Sequence, residues 1–396
     1  MNSHSFDFDE IVEFRGHHSE KWDGMERQFG IPAQEGLAMW VADMDFRAPP
    51  SVIARVRDVA ESGIFTYFGD LREYHDSIIW WMRERHGWQI ESDAIFTTHG
   101  LVNAVALCIQ AYTNPGDGVV VMSPVYHAFG RVVRANDRQL VECPLAVAPD
   151  GTFQMDFDRW DGMMTGNARM LILCSPHNPG GRVWTVEELR GVADFARRHD
   201  LILVSDEIHH DLVFPGHRHT VMPLADTGIA DRLVVLSATS KSFNVAGMHC
   251  GNAIIHDPAL RAAFARQIAR MAISPNAMSL HMTPALYSPE GAAWLDACVA
   301  YLDGNHQLFR EGVQAIPGVR MAPMQGTYLA WVDFSGTGMD QAEIAARVAG
   351  RARIAASPGP AFGLGGDQHL RFNLAMPRAR IREAVERLQA AFDDLQ

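Results

Sequence analysis

The stretch "RLVVLSATSKSFNVAG", residues 232–247, runs four apolar residues together and then turns abruptly to small hydroxyl residues and a lone lysine, Lys241. An unbroken apolar run of this length, without polar alternation, is the pattern of a strand covered on both faces, as in a parallel sheet between layers of helix. Lys241 then falls just past the carboxyl end of that strand. In open α/β sheets the crevice outside those ends is where ligands bind. A lysine partly withdrawn from water there has its pKa lowered, so that it can act as nucleophile or base.

Working outward, three more runs share the character of the first: "GVVVMS" (118–123), "RMLILCS" (169–175) and "LILVSDE" (201–207). Helix-like segments separate them. The clearest is "TVEELRGVADFARRHD" (185–200), where Thr185 and Glu188 have the spacing of a capping box and Leu189, Val192 and Phe195 keep a helical period. This alternation predicts an α/β fold, a large domain with a mostly parallel central sheet flanked by helices. Beyond a Ser-Pro-Glu-Gly turn signal near residue 290 the pattern changes, with strands expected in "GTYLAWVDF" (326–334) and "HLRFNLAM" (369–376) and helices in "DQAEIAARVAGRA" and at the carboxyl terminus. A smaller α+β domain is expected over 290–396, with 46–289 as the large domain and 1–45 as an amino-terminal segment contributing to the small one.

With 396 residues and 47% apolar content the chain can bury a large core. A net charge of −13, with no run of Lys or Arg, argues against nucleic acid or an anionic membrane as partner. The amino terminus has no basic segment followed by an apolar core, and nothing approaches the ~18 apolar residues that span a bilayer, so a cytoplasmic protein is expected. Five scattered cysteines without a CxxC pair read as reduced, buried thiols. The histidines of "DEIHHDLVFPGHRH" (206–219) fit no metal-ligand spacing, and no metal is expected.

Three strand ends carry polar residues foreign to an apolar sheet: Asn178 in "SPHNPGGR", Asp206 in "VSDEIHH", and Lys241. Their separations, 28 and 35 residues, are each about one βαβ unit, so the three can converge in one crevice. Tyr126 in "MSPVYHAF" follows a fourth run. Amine, carboxylate, amide and aromatic face together suit pyridoxal phosphate, which needs a Schiff-base lysine, an acid at the pyridine nitrogen, a donor to the ring hydroxyl and a stacking surface.

The chain resembles the fold-type I pyridoxal-phosphate enzymes and, among them, the cystathionine β-lyases of the MalY/PatB type, C–S lyases related to aminotransferases. The resemblance is carried by "MWVADMDF" (39–46), "RHGW" (85–88), "SPHNPGGRVWTVEEL", "SDEIHHDLVFPGHRHT", "SKSFNVAG" and "LRFNLAMPR" (370–378), which together cover nearly the whole chain. It implies that Lys241 bears pyridoxal 5'-phosphate, that Asp206 pairs with the ring nitrogen, Asn178 with the ring hydroxyl, and that Tyr126 stacks on the ring. It implies further that His209 bonds near the ring hydroxyl or supports Asp206. Gly100, Leu101 and Val102 would bind the phosphate with Ser240, Tyr67 would reach the phosphate of a neighbouring subunit in a homodimer, and Arg371 would clamp the substrate carboxylate.

The chain departs from many aminotransferases where His249 stands in place of a phosphate-binding arginine and Ala238 in place of a hydroxyl or glycine; "HGLV" (99–102) and "ISPNAMSLHM" (273–282) depart as well. Of these, His249 favours a lyase, and the resemblance implies cystathionine or another S-substituted L-cysteine as substrate. The alternatives are an aminotransferase, a decarboxylating or oxidative enzyme on an S-cysteinyl conjugate, and a non-catalytic regulatory protein that retains the cofactor.

Overall fold

A computed structural model describes residues 6–164 and 166–395. Its central sheet has seven strands: β1 (Ile95–Thr98), β2 (Gly118–Ser123), β3 (Gln139–Pro144), β4 (Ala168–Cys174), β5 (Ile202–Asp206), β6 (Leu233–Ser237) and β7 (Gly251–Ile254). They lie side by side in the order β1-β7-β6-β5-β4-β2-β3. All neighbouring pairs from β6 to β3 are parallel, and only β7 runs against its two neighbours.

Successive residues of the inner strands face opposite layers, as strand geometry requires. Val119, Val121, Val204, Val234 and Leu236 pack toward the helices Leu101–Tyr112 and Pro258–Arg270, whereas Val120, Leu203, Leu233 and Val235 pack toward Val186–Arg198 and the long helix Pro289–Gln314. Both faces are therefore apolar, which is why these strands read as unbroken runs; each fully buried Val or Leu contributes about 1.5–3 kcal/mol. The four runs of the sequence are β2, β4, β5 and β6. The other three strands escape that reading for physical reasons: β3 is a half-exposed edge strand, and β1 and β7 are four residues long with polar members. The capping box on Val186–Arg198 forms as spaced, with Thr185 accepting from the Glu188 N–H.

A second, antiparallel sheet is built from β8 (Arg320–Met321), β9 (Leu329–Asp333), β10 (Ser357–Pro358) and β11 (His369–Asn373), in the order β8-β9-β11-β10. Its register sets Arg371 between Trp331 and Ser357. Leu37–Ala38 pairs in parallel with Ile354–Ala355, and from there residues 39–46 run across the ends of the central strands. The helix expected over 340–352 forms as Gln341–Ala345 and continues in a wider turn, Ala346–Arg351. All five cysteines are free and buried, and among the described residues no helix is long and apolar enough to cross a membrane.

Candidate active site

Adjacent strands β4, β5 and β6 end side by side, and each delivers one polar residue. Asp206 closes β5, in register with Cys174 of β4 and Leu236 of β6. Asn178 lies four residues past β4. Lys241 sits in the single helical turn Thr239–Ser242 directly after β6. Arg371 arrives from the second sheet and donates from Nη1 to Asn178 Oδ1 at 3.1 Å, so one crevice holds residues from both sheets.

The electrostatics of the three charged groups differ from those of surface residues. Burial pushes the Asp206 carboxyl up to about 7, against the Ile208 N–H (3.1 Å), its one donor among the described residues, and the charges of Lys241 and His210. Desolvation brings half-buried Lys241 down to about 8, against the pull of Asp43 and Asp206. Its Nζ donates to the Ala42 carbonyl at 2.5 Å. Arg371 is 2% exposed, and burial lowers its pKa to about 10. Its Nη2 donates to the Trp40 carbonyl (2.7 Å) and Ser357 Oγ (3.3 Å), its guanidinium carbon lies 4.9 Å from the centre of the Phe362 ring, and its Nε has no partner among the described residues. Among the described residues no carboxylate pairs with Arg371.

Tyr126 is part-buried after β2, edge-on to Phe129, and feels the charges of both Arg371 and Asp206. His209 is buried and held neutral by desolvation and by Lys241 and Arg371. Among the described residues His209 Nδ1 has no partner, and its ring packs edge-on to Tyr328. Gly100 precedes the helix Leu101–Tyr112 with φ of +80°, a conformation that favours glycine, and leaves the first N–H groups of Leu101 and Val102 without intrahelical partners. A side chain at Gly251 would strike Leu101, so β7 passes close beneath this helix start. Ser240 is half-buried beside Lys241. Tyr67 is fully exposed, in a patch with Ile64 and Phe65, and is not brought to the crevice within one chain. His249 is exposed in a left-handed conformation.

Several contributors have no counterpart in the sequence reading. In the segment 40–46, part of the quoted motif "MWVADMDF", side chains hold the carbonyls of Trp40 (Arg371), Val41 (Asn373), Ala42 (Lys241 and Tyr328), Asp43 (Lys21) and Met44 (Asn244). Backbone acceptors leave no residue signature. Behind Lys241, His86, His210 and Asp211 bring ligand-type atoms within 4.8 Å of one another. Trp81, His86 and Ser242 all donate to the Asp211 carboxylate, while the ring nitrogens of His210 have no hydrogen-bond partner among the described residues.

The family model for aminotransferase class I and II matches residues 37–388. The chain belongs to that family. It is 35% identical to the cystathionine β-lyase PatB of Bacillus subtilis, covering 97% of this chain and 99% of the relative, and 29% identical to the protein MalY of Escherichia coli, with 96% and 97% covered. Among solved structures, cystalysin from Treponema denticola, which contains pyridoxal 5'-phosphate, superposes with a TM-score of 0.93 at 34% identity, covering 99% of this chain and all of that one. The family thus has the pyridoxal-phosphate transferase fold of type I, and the parallel sheet expected from the apolar runs is its central layer.

Proposed function

We propose that this family member is a pyridoxal-phosphate-dependent C–S β-lyase, which cleaves cystathionine or another S-substituted L-cysteine to a thiol, pyruvate and ammonia. The observation that carries the reading is Arg371, a buried guanidinium with no carboxylate of its own, next to a lysine of lowered pKa and a carboxyl of raised pKa. A buried cation without a counter-anion is costly, and an amino-acid carboxylate would complete it. Relatives named cystathionine β-lyase support the choice of reaction.

The residues fit the cofactor. Asp206, short of donors, can accept a protonated ring nitrogen; Asn178 can serve the ring hydroxyl; Tyr126 offers a face for stacking, and neutral His209 lies close to Lys241 and Arg371. The N–H groups after Gly100 form the end of a twelve-residue helix suited to a phosphate, to which Ser240, from the turn bearing Lys241, would add a hydroxyl. When bound, the cofactor supplies an electron sink for the pair left at the substrate Cα. Lys241 would carry it, and its amine would take the Cα proton; a pKa near 8 leaves a useful neutral fraction at physiological pH. Arg371 fixes the substrate carboxylate and so orients the Cα–H bond toward Lys241.

The exposed patch of Ile64, Phe65 and Tyr67 suits burial against a second copy of the chain, which would bring Tyr67 to the partner's phosphate site in a homodimer. The same reading makes the protein cytoplasmic. Incubation with cystathionine and no keto acid tests the reaction: pyruvate and free thiol should accumulate over many turnovers, while a halt after one turnover would assign an aminotransferase. Borohydride reduction followed by peptide mass spectrometry should place the cofactor on Lys241.

A further inference from the structure

Three of the sequence motifs meet at a place the proposed chemistry does not use. His86 from "RHGW", His210 and Asp211 from "SDEIHHDLVFPGHRHT" and Ser242 from "SKSFNVAG" converge on one carboxylate, whose side chain is fully buried. Asp211 Oδ1 accepts from Trp81 Nε1 at 3.1 Å and lies 3.0 Å from His86 Nε2; Oδ2 accepts from Ser242 Oγ at 2.6 Å and lies 3.2 Å from His210 Nε2. The His86 and His210 rings stack at 4.4 Å. His86 is the last residue of the helix Arg72–His86, where the helix dipole favours positive charge beside the carboxylate.

Ser242 is the residue after Lys241, in a helical turn of only four residues. One turn has no stability of its own, because fixing its dihedrals costs more than its single hydrogen bond returns. External ties must therefore hold it. On the front, Lys241 Nζ meets the Ala42 carbonyl; after the turn, Asn244 is tied to the carbonyls of Met44 and Phe46. At the back, the Ser242–Asp211 bond joins the turn to a carboxylate braced by a helix and an aromatic core.

We infer that Asp211, braced by His86 and Trp81, is a positioning residue for Lys241 and acts through its hydrogen bond with Ser242. The charged groups that face Lys241 are Asp43, Arg371 and Asp206; Asp211 is not among them, so its influence is geometric. Removing the tie lets the turn shift and frees Lys241 Nζ from the Ala42 carbonyl.

The inference rests on Lys241 as the cofactor-bearing residue, and the experiment separates the two. Ser242→Ala removes the tie and leaves the rest of the Asp211 cluster standing; Ser242→Thr restores the hydroxyl. In holoenzyme, Ser242→Ala should lower kcat about tenfold or more with KM little changed, in keeping with the cost of a small misplacement. In cofactor-free protein, the pH midpoint for labelling the Lys241 amine, near 8 in the parent, should rise toward that of an ordinary lysine. Ser242→Thr should recover both. Parental kcat and midpoint in Ser242→Ala, or a lowered Tm with both unchanged, would overturn the inference. A borohydride adduct on another lysine would instead overturn the assignment of Lys241.

Discussion

Asp206 and Asp211 stand five residues apart on one short segment and are 4% and 6% exposed, yet they titrate in opposite directions. Burial presses both carboxyls upward. Asp206 has little to oppose it beyond one backbone N–H and rises to about 7, whereas at Asp211 the charge of His210 and the hydrogen bond and charge of His86 outweigh burial and hold it well below the usual carboxylate range. The number of donors, not depth, decides the outcome. A saturated carboxylate is finished structure; an undersupplied one beside Lys241 and Arg371 is a place prepared for a cation that the chain does not itself contain.

The sharpest way to break this comparison is to neutralise each acid in turn. Asp211→Asn strands the donors of Trp81, His86 and Ser242, and should destabilise the protein by about 3–5 kcal/mol, the range for breaking a buried charge pair. Cofactor-free Asp206→Asn at pH 7 should be no less stable than the parent, because it removes a poorly solvated charge. Urea unfolding of the two variants measures the difference, and equal losses would erase the distinction.

Activity should then reverse the ranking among the fully folded variants. Asp206→Asn removes a charge needed as electrons accumulate in the ring, so kcat should fall on the order of 10²–10³-fold, roughly 2.7–4 kcal/mol, with KM little altered. Steady-state kinetics with cystathionine decide this, and parental turnover would remove Asp206 from the reaction.

Arg371 extends the contrast to a cation. Arg371→Lys keeps the charge and loses the planar fork, so kcat/KM for amino-acid substrates should drop by about 2–4 kcal/mol while the visible absorbance of the bound cofactor survives. Loss of cofactor in that variant would move Arg371 out of the substrate site.

How much of this was legible in the sequence follows from the same contrast. Asp206 ends an apolar strand and Asn178 and Lys241 follow one within four residues, where a polar residue stands out against the run before it, and Arg371 interrupts a short strand in a similar way. Asp211 and His86 are separated by 125 residues and meet only when the helix Arg72–His86 packs over the sheet, so no spacing rule joins them. The carbonyls of Trp40 and Ala42 are invisible for a simpler reason: every residue has one.

The smallest effect is the one that separates the two carboxylates most cleanly, because it depends on sign. Asp206 folds with a pKa near 7 against an ordinary 3.8, so between those values the folded state holds a proton that the unfolded chain has released. Its contribution to stability is present at low pH, falls as pH rises from about 4 to about 7, and is constant above that. The parent minus Asp206→Asn stability difference in cofactor-free protein should therefore slope downward across this window, by up to about 1.4 kcal/mol per pH unit. Asp211 has its pKa depressed, so its own carboxyl contributes stability that is present above the ordinary carboxylate range and is lost as the pH falls below it; in acid the Asp211→Asn difference should therefore shrink as pH falls, opposite in sign to the Asp206 slope. Lys241, shifted from 10.5 to about 8, titrates above the window and leaves it undisturbed. Adding pyridoxal 5'-phosphate should flatten the Asp206 slope, since a protonated ring nitrogen restores the missing donor and draws the carboxyl back down. A slope that persists unchanged in the holoenzyme would mean that the cofactor's nitrogen is met by some other group.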